Sequence, residues 1–193
     1  MRKNIFASCL FFVFAGLLFA DNFGAPMPQG TPTTIENFED GYVWVHAGED
    51  WDRWGGSHVT VGAEQWRKWR TDGKYSMHLI FGEQHGPSQS LWYSDYPETE
   101  TLDLSVFDYL VIDVYNPNDL GLVFGFCFQD LEWNWLQSDT WMWFPKGEHS
   151  LCFDIRNIDK ERMKNIRRLI FIMPAETFSE GSVYIDNIRG YKN

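Results

Sequence analysis

Two carboxylates near the ends of the chain are placed to share a cation. Glu39 lies in the Phe-Glu-Asp-Gly run at 38–41, and Asp186 lies in the Val-Tyr-Ile-Asp-Asn-Ile run at 183–188. Both runs have the composition of strands, and a sandwich that joins the first and last strands would bring the two carboxylates together. Calcium prefers oxygen ligands of this kind. The pair predicts a structural calcium site; the alternative is that Asp40-Gly41 and Asp186-Asn187 are ordinary strand-end residues that hydrogen-bond nearby amides.

Tryptophan is the second feature, because the chain contains ten of these residues. An indole offers an apolar face on which a sugar ring can lie, while neighbouring polar groups hydrogen-bond the hydroxyls. The densest cluster alternates with polar residues, so same-face spacing sets Trp133 beside Trp135, and Trp141 beside Trp143. In an antiparallel hairpin the two pairs would form one platform. The cluster predicts a carbohydrate site, with burial in the core as the alternative.

The sequence carries no known catalytic motif. It has no Gly-x-Ser-x-Gly, no His-Glu-x-x-His and no phosphate-binding loop, and its five histidines show no metal-ligand spacing. Acidic pairs such as Asp130 and Glu132 are common in a chain with 27 acidic residues, so they do not indicate a glycosidase. We predict a binding protein and no enzyme, with a small lyase or glycosidase of sandwich fold as an alternative.

The N-terminal region has the layout of a secretory signal peptide. Arg2 and Lys3 precede an uncharged apolar stretch at 5–18, which is too short for a comfortable membrane span. We predict cleavage after Ala20 and export to the periplasm or the cell exterior, with an uncleaved anchor as the alternative. Residues 21–34 contain three prolines and two glycines, which predicts a flexible leader. Residues 35–193 are then one binding domain.

The net charge limits which classes of partner the protein can bind, and the cysteine content limits which disulfides it can form. The formal net charge is −11, and removing residues 1–20 takes away two cations and brings it to −13. Such a surface repels nucleic acid and anionic lipid, so we expect a neutral or cationic partner such as a polysaccharide or oligosaccharide. Cys127 and Cys152 remain after export, and they form a disulfide if their strands are adjacent. The alternative is two half-buried thiols.

Short runs of alternating apolar residues from Ile35 onward predict the strands that position these groups. Turn residues separate the runs, and only residues 159–168 have a helical pattern. We therefore predict an all-β fold, a two-sheet antiparallel β-sandwich or jelly roll with at most one short helix. The bulky residues face the interior, and the opposite parity forms a shallow groove. Asp113, Tyr115 and Gln129 lie on that parity and join the tryptophans as candidate sugar ligands.

Four segments in order resemble the carbohydrate-binding modules with a galactose-binding-like jelly roll that are appended to secreted polysaccharidases. They are Phe-Glu-Asp-Gly at 38–41, Thr-Asp-Gly-Lys-Tyr-Ser-Met at 71–77, Leu-Asp-Leu-Ser-Val-Phe-Asp-Tyr-Leu at 102–110 and the run at 183–188. The resemblance implies binding of a neutral glycan. It also implies a structural calcium held by Glu39, Asp186 and the backbone from Asp72 to Lys74.

A second resemblance gives a structural alternative. The proteins that sheathe periplasmic flagella also begin with a signal peptide and carry an acidic sandwich that ends in an aromatic-x-Asp strand, as Tyr184 to Asp186 does here. A sheath subunit should self-associate or bind a filament protein, whereas a glycan-binding module should be monomeric and bind soluble polysaccharide.

Overall fold

A computed structural model describes residues 23–39, 62–66, 68–81, 88–92, 101–174 and 181–193, so the predicted signal peptide lies outside the described residues. In these ranges no helix is long and apolar enough to cross a membrane. The structure there consists of strands and one short 3-10 helix, Arg162–Asn165. The strands are β1 Phe23–Gly24, β2 Thr33–Glu36, β3 Gly62–Trp66, β4 Ser76–Phe81, β5 Ser88–Trp92, β6 Tyr109–Asn116, β7 Leu122–Asp130, β8 Trp135–Phe144, β9 Gly147–Asp154, β10 Ile166–Pro174 and β11 Gly181–Tyr191.

The strands form two sheets. Sheet A has the order β1-β9-β6-β11-β4-β3, and β2 pairs with the second half of β11 beyond the end of β4. Sheet B has the order β5-β10-β7-β8. Among these described strands, every pairing is antiparallel except that of β1 with β9, which is parallel. The prediction of an all-β, two-sheet antiparallel sandwich is confirmed.

The core lies between the sheets and follows the alternation in the sequence. Leu110 and Ile112 of β6 and Phe126 and Phe128 of β7 are buried, and they belong to one apolar cluster. The rings of Phe126 and Phe128 meet edge to face with centroids 4.9 Å apart, a favourable aromatic geometry. Because successive side chains of a strand point to opposite faces, burying these residues sends their neighbours outward. The bulky parity is therefore the interior, as predicted.

The segment before Ile35 differs from the flexible leader that its composition predicts. β1 pairs with β9 at the edge of sheet A, and the Ala25 N–H donates to the carbonyl of Cys152 at 2.9 Å. Ala25 and Met27 then pack on an outer apolar cluster of sheet A that includes Val111. Tertiary contacts order this segment although proline and glycine leave it without periodicity.

The predicted helix at 159–168 is shorter than its charge pattern suggests. Only residues 162–165 form a 3-10 turn, and β10 begins at Ile166. The Asp159 carboxylate accepts the N–H of Glu161 at 3.0 Å, and the Asp159 carbonyl accepts that of Met163 at 3.1 Å. Residues after 165 instead pair with β7, because their apolar side chains fit the alternation of sheet B.

The structure contradicts the predicted disulfide. Cys127 lies on β7 of sheet B and Cys152 on β9 of sheet A, and both are buried free thiols. Each points away from the shared interior, so the two sheets separate them by more than a disulfide can span. Burial raises the pKa of Cys127 to about 12. Burial and the nearby Asp154 raise that of Cys152 to about 11. Both thiols are therefore protonated and poorly nucleophilic.

Candidate functional site

Three tryptophans form a row on the outer face of β8. Trp135, Trp141 and Trp143 are 45%, 47% and 55% exposed, while Leu136, Met142 and Phe144 between or beside them are buried in the core. The pairing of β8 with β7 shifts by two residues between the Gln137 and Trp141 positions. An even shift leaves the alternation intact, so all three indoles point the same way. In the described part of the chain, β8 is one of the two edge strands of sheet B, and β5 is the other.

Two glycines lie beneath this row. Gly125 of β7 is directly opposite Trp141, and a Cβ built on it would come within 2.8 Å of the Trp141 ring. Gly121, just before β7, lies under Trp143, and a Cβ there would come within 2.4 Å of that ring. Each indole therefore rests against the β7 side of the sheet, which turns its other face toward solvent.

Trp133 lies in the turn between β7 and β8 with a backbone φ of 67°. The Asp130 carboxylate stabilises this turn, because it accepts the N–H groups of Glu132 at 3.0 Å and Asn134 at 2.8 Å. The guanidinium carbons of Arg167 and Arg168 lie 3.8 and 4.3 Å from the Trp133 ring centroid, which is cation–π geometry. Trp133 is 49% exposed. The predicted hairpin of two tryptophan pairs is wrong, because Trp133 is a turn residue and the other three share one strand.

Gln129 is buried beneath this turn. Its side chain is 4% exposed. Its Nε2 donates to the carbonyl of Trp133 at 3.2 Å, and its Oε1 accepts from Arg168 Nη1 at 3.2 Å. These bonds use the polar atoms of Gln129 inside the protein, so it positions Trp133 and Arg168. The predicted role of reading hydroxyls does not suit a side chain held in this way.

Asp113 and Tyr115 lie on the outer face of sheet A, on the other side of the sandwich from the tryptophan row. The predicted common groove is therefore wrong. The two strands that carry these groups, β6 and β7, are consecutive in the chain but belong to different sheets. The outward-facing residues of β6 and those of β7 therefore lie on opposite surfaces of the sandwich. Tyr115 stacks on Trp69 with centroids 5.8 Å apart, which gives it a packing role in the described structure.

Asp113 is committed to a buried ion pair. Arg189 donates to it from Nη1 at 2.6 Å and from Nη2 at 2.9 Å, and Ser150 Oγ donates at 2.6 Å. Burial by itself would raise the pKa of Asp113, but the hydrogen bonds from Arg189 and Ser150 outweigh it and hold that pKa below its usual value. Its carboxylate therefore stabilises sheet A.

The two carboxylates predicted to share calcium hold the two ends of one loop. Asp186 Oδ2 accepts the N–H groups of Thr71 at 2.7 Å and Asp72 at 2.9 Å. Glu39 Oε1 accepts those of Lys74 at 2.5 Å and Tyr75 at 2.6 Å. The sequence thus identified two side chains that the fold brings to the same segment. Asp186 makes backbone hydrogen bonds of the kind that the alternative interpretation predicts, and Glu39 makes bonds of the same kind.

The chemistry of this loop includes oxygen donors that calcium accepts. Asp186 is fully buried, and burial raises its pKa although backbone N–H groups pull the other way. Asp72 is exposed, with Asn37 Nδ2 3.4 Å from its carboxylate. Within the described ranges, no three acidic, histidine or cysteine side chains are grouped to hold a metal. A calcium ion here would depend on Glu39, Asp186 and backbone carbonyls together.

No protein-family model matches the sequence, and no curated protein matches it. Solved structures, in contrast, share the fold. A family 11 carbohydrate-binding module of a Clostridium thermocellum cellulosomal cellulase superposes with a TM-score of 0.58 at 12% identity, over 86% of this chain and 97% of that one. A family 28 module specific for non-crystalline cellulose gives 0.54 at 20% identity, over 87% and 100%.

A carbohydrate-binding module of the β-sandwich superfamily gives a TM-score of 0.57 at 12% identity, over 83% of this chain. This chain spans 62% of the length of that one. At these identities the similarity concerns the fold. The chain is built on the β-sandwich that these carbohydrate-binding modules use, as its resemblance in sequence implied.

Proposed function

We propose that this protein binds a neutral glycan without catalysis, and that the ligand stacks on the tryptophan row of β8, Trp135, Trp141 and Trp143. The supporting observation is that three large aromatic side chains are each about half exposed on a strand whose alternate residues are core. Exposed indoles on a rigid strand are unfavourable in water and preorganised for a ligand with an apolar face. Sugar rings have such a face.

The row also indicates the shape of the ligand. On β7, the partners of Trp135 and Trp143 are Gln129 and Val123. These partners are six residue steps apart on β7, which corresponds to roughly 20 Å along the sheet. A ligand that contacts all three indoles is therefore an extended chain of several sugar units lying parallel to β8. Formal net charge of −11 argues against an acidic polymer.

The structural neighbours guide the choice of probes. One family 11 module was solved with a β-1,3-1,4-mixed-linked tetrasaccharide, and the family 28 module is specific for non-crystalline cellulose. Mixed-linkage β-glucan and hydroxyethylcellulose are accordingly the first candidates. Xylan and galactomannan complete a panel of neutral polysaccharides with different backbones.

Affinity electrophoresis in gels containing each polysaccharide tests the proposal. At least one polysaccharide should retard the protein, and Trp141→Ala should lose about 2 kcal/mol of binding, or roughly thirty-fold in affinity. Val106→Ala is the matched control, because Val106 is apolar and 48% exposed but lies outside the row. Equal retardation of Trp141→Ala and the wild type would contradict the proposal. So would no retardation on any of the four together with self-association in sedimentation, which favours the sheath-like alternative.

Calcium binding and export belong to the proposal as well. Calcium held by Glu39, Asp186 and backbone carbonyls from Asp72 to Lys74 would add to the hydrogen bonds that already anchor this loop. Chelator should then lower the melting temperature of wild type more than that of Glu39→Gln. An equal shift in both would exclude Glu39 as a ligand. N-terminal sequencing of protein from the native host should begin at Asp21 if the signal peptide is cleaved as predicted.

A further inference from the structure

We propose that Gly121 and Gly125 are positioning residues, which hold the rings of Trp143 and Trp141 against the sheet so that the row is flat. The inference rests on the proposed function, because it explains how the tryptophan row that binds the glycan gets its shape. The packing of each indole ring against its glycine can be tested without any glycan.

While the rings stay in place, the space beneath them is too small for a side chain on either glycine. A Cβ on Gly125 would lie 2.8, 3.0 and 3.2 Å from Cζ3, Cε3 and Cη2 of Trp141. A Cβ on Gly121 would lie 2.4 Å from both Cε2 and Nε1 of Trp143 and 2.5 Å from its Cζ2. Carbon atoms in contact prefer separations of about 3.5 to 4.0 Å. Alanine at either position would therefore push the indole above it away from the sheet.

The backbone gives no other reason for glycine at these two positions. The glycines with positive φ in the described part of the chain are Gly24, Gly30, Gly73 and Gly147. Gly125 and Gly121 thus have backbone conformations open to any residue. Glycine inside a strand weakens it, because it loses more chain entropy on folding and packs nothing. Gly125 lies in the middle of β7, where that loss is accepted in return for room beneath Trp141.

The arrangement determines which surface the ligand meets. Under this proposal, rings held against the sheet turn the faces away from the glycines toward solvent, and Trp141 and Trp143 follow each other along one side of β8. A flat row matches the apolar face of an extended chain. Raised rings would instead present edges, which interact less well with sugar C–H groups. Replacing either glycine by alanine should consequently weaken glycan binding, although every indole is still present.

Isothermal titration with the polysaccharide that retards the wild type measures this effect. Gly125→Ala should weaken binding about ten-fold while the melting temperature stays the same or rises. In the Trp141→Ala background the same change should have no further effect, because the ring that it displaces is gone. In the Trp143→Ala background it should still weaken binding about ten-fold. Equal losses in all three backgrounds, or wild-type affinity in Gly125→Ala, would overturn the inference.

A second measurement separates this inference from the proposed function. In ¹⁵N-labelled protein without ligand, Gly125→Ala should shift the indole N–H signal of Trp141 more than that of Trp143, and Gly121→Ala should do the reverse. This pattern supports the packing of the two rings on the two glycines even if no polysaccharide in the panel binds. Unmoved indole signals in both variants would overturn it even if the wild type binds. Gly121→Ala serves as the second variant because it precedes β7 and does not disturb a strand.

Discussion

The buried pair of Asp113 and Arg189 gives a quantitative test of what stabilises sheet A. The two side chains are 7% and 12% exposed, and Nη1 and Oδ2 are 2.6 Å apart. Removing one member of a buried pair leaves an uncompensated charge and costs about 3–5 kcal/mol. Domains of this kind have about 5–15 kcal/mol of total stability. Asp113→Leu should therefore remove a large part of the stability, equivalent to a fall of roughly 6–20 °C in melting temperature.

Urea unfolding followed by circular dichroism measures the effect, and the chain provides a matched control. Lys146 Nζ and Asp119 Oδ1 are also 2.6 Å apart, but their side chains are 53% and 93% exposed. Because solvent screens an exposed pair, Asp119→Leu should leave the unfolding midpoint almost unchanged. The double variant Asp113→Leu with Arg189→Met should lose much less than the sum of its single changes. Equal destabilisation by Asp113→Leu and Asp119→Leu would refute the reasoning that burial gives the pair its weight.

Three further predictions follow from described contacts. Cys127 and Cys152 should react with a thiol reagent only after unfolding, and a mass lower by two hydrogens in the native protein would contradict the free-thiol assignment. The folded pKa of Asp113 lies below its unfolded value, so the stability it gives is present above about pH 4 and lost as pH falls further; acid titration of Asp113→Asn should show a shallower loss. Gly24→Ala should destabilise by about 1–3 kcal/mol, because its Cβ would lie 2.4 Å from the carbonyl oxygen of Cys152. Gly30→Ala, also at positive φ but with nothing within 4 Å, should cost less.

The sequence predicts the core because its signal is local. Leu110 and Ile112 are buried on alternate positions of one strand, and so are Phe126 and Phe128, so a period of two is enough to find them. Assigning strands to sheets requires the chain path between them. The chain leaves sheet A after Asn116 and enters sheet B at Leu122. The residues within either strand do not reveal this crossing, so strand alternation alone predicts one face for Asp113, Tyr115 and Gln129.

For the candidate site, too, the sequence predicts the local features and misses those that depend on strand register. Polar residues between the tryptophans predict exposure, and Trp135, Trp141 and Trp143 are indeed about half exposed. The register of β8 on β7 depends on a two-residue shift, which alternation does not reveal because parity is unchanged. The position of Gly125 beneath Trp141 depends on that register. Gly125 carries a weak signal, since glycine in an otherwise apolar strand indicates a close approach by another group.

Titration of ¹⁵N-labelled protein with the retarding polysaccharide, followed through the indole N–H signals, tests the central proposal most directly. The signals of Trp135, Trp141 and Trp143 should shift together with one dissociation constant. The signal of Trp69, which is 8% exposed and stacks on Tyr115 at the opposite sheet, should not move. Shifts confined to Trp69, or binding that leaves the three row signals in place, would contradict a glycan site on β8.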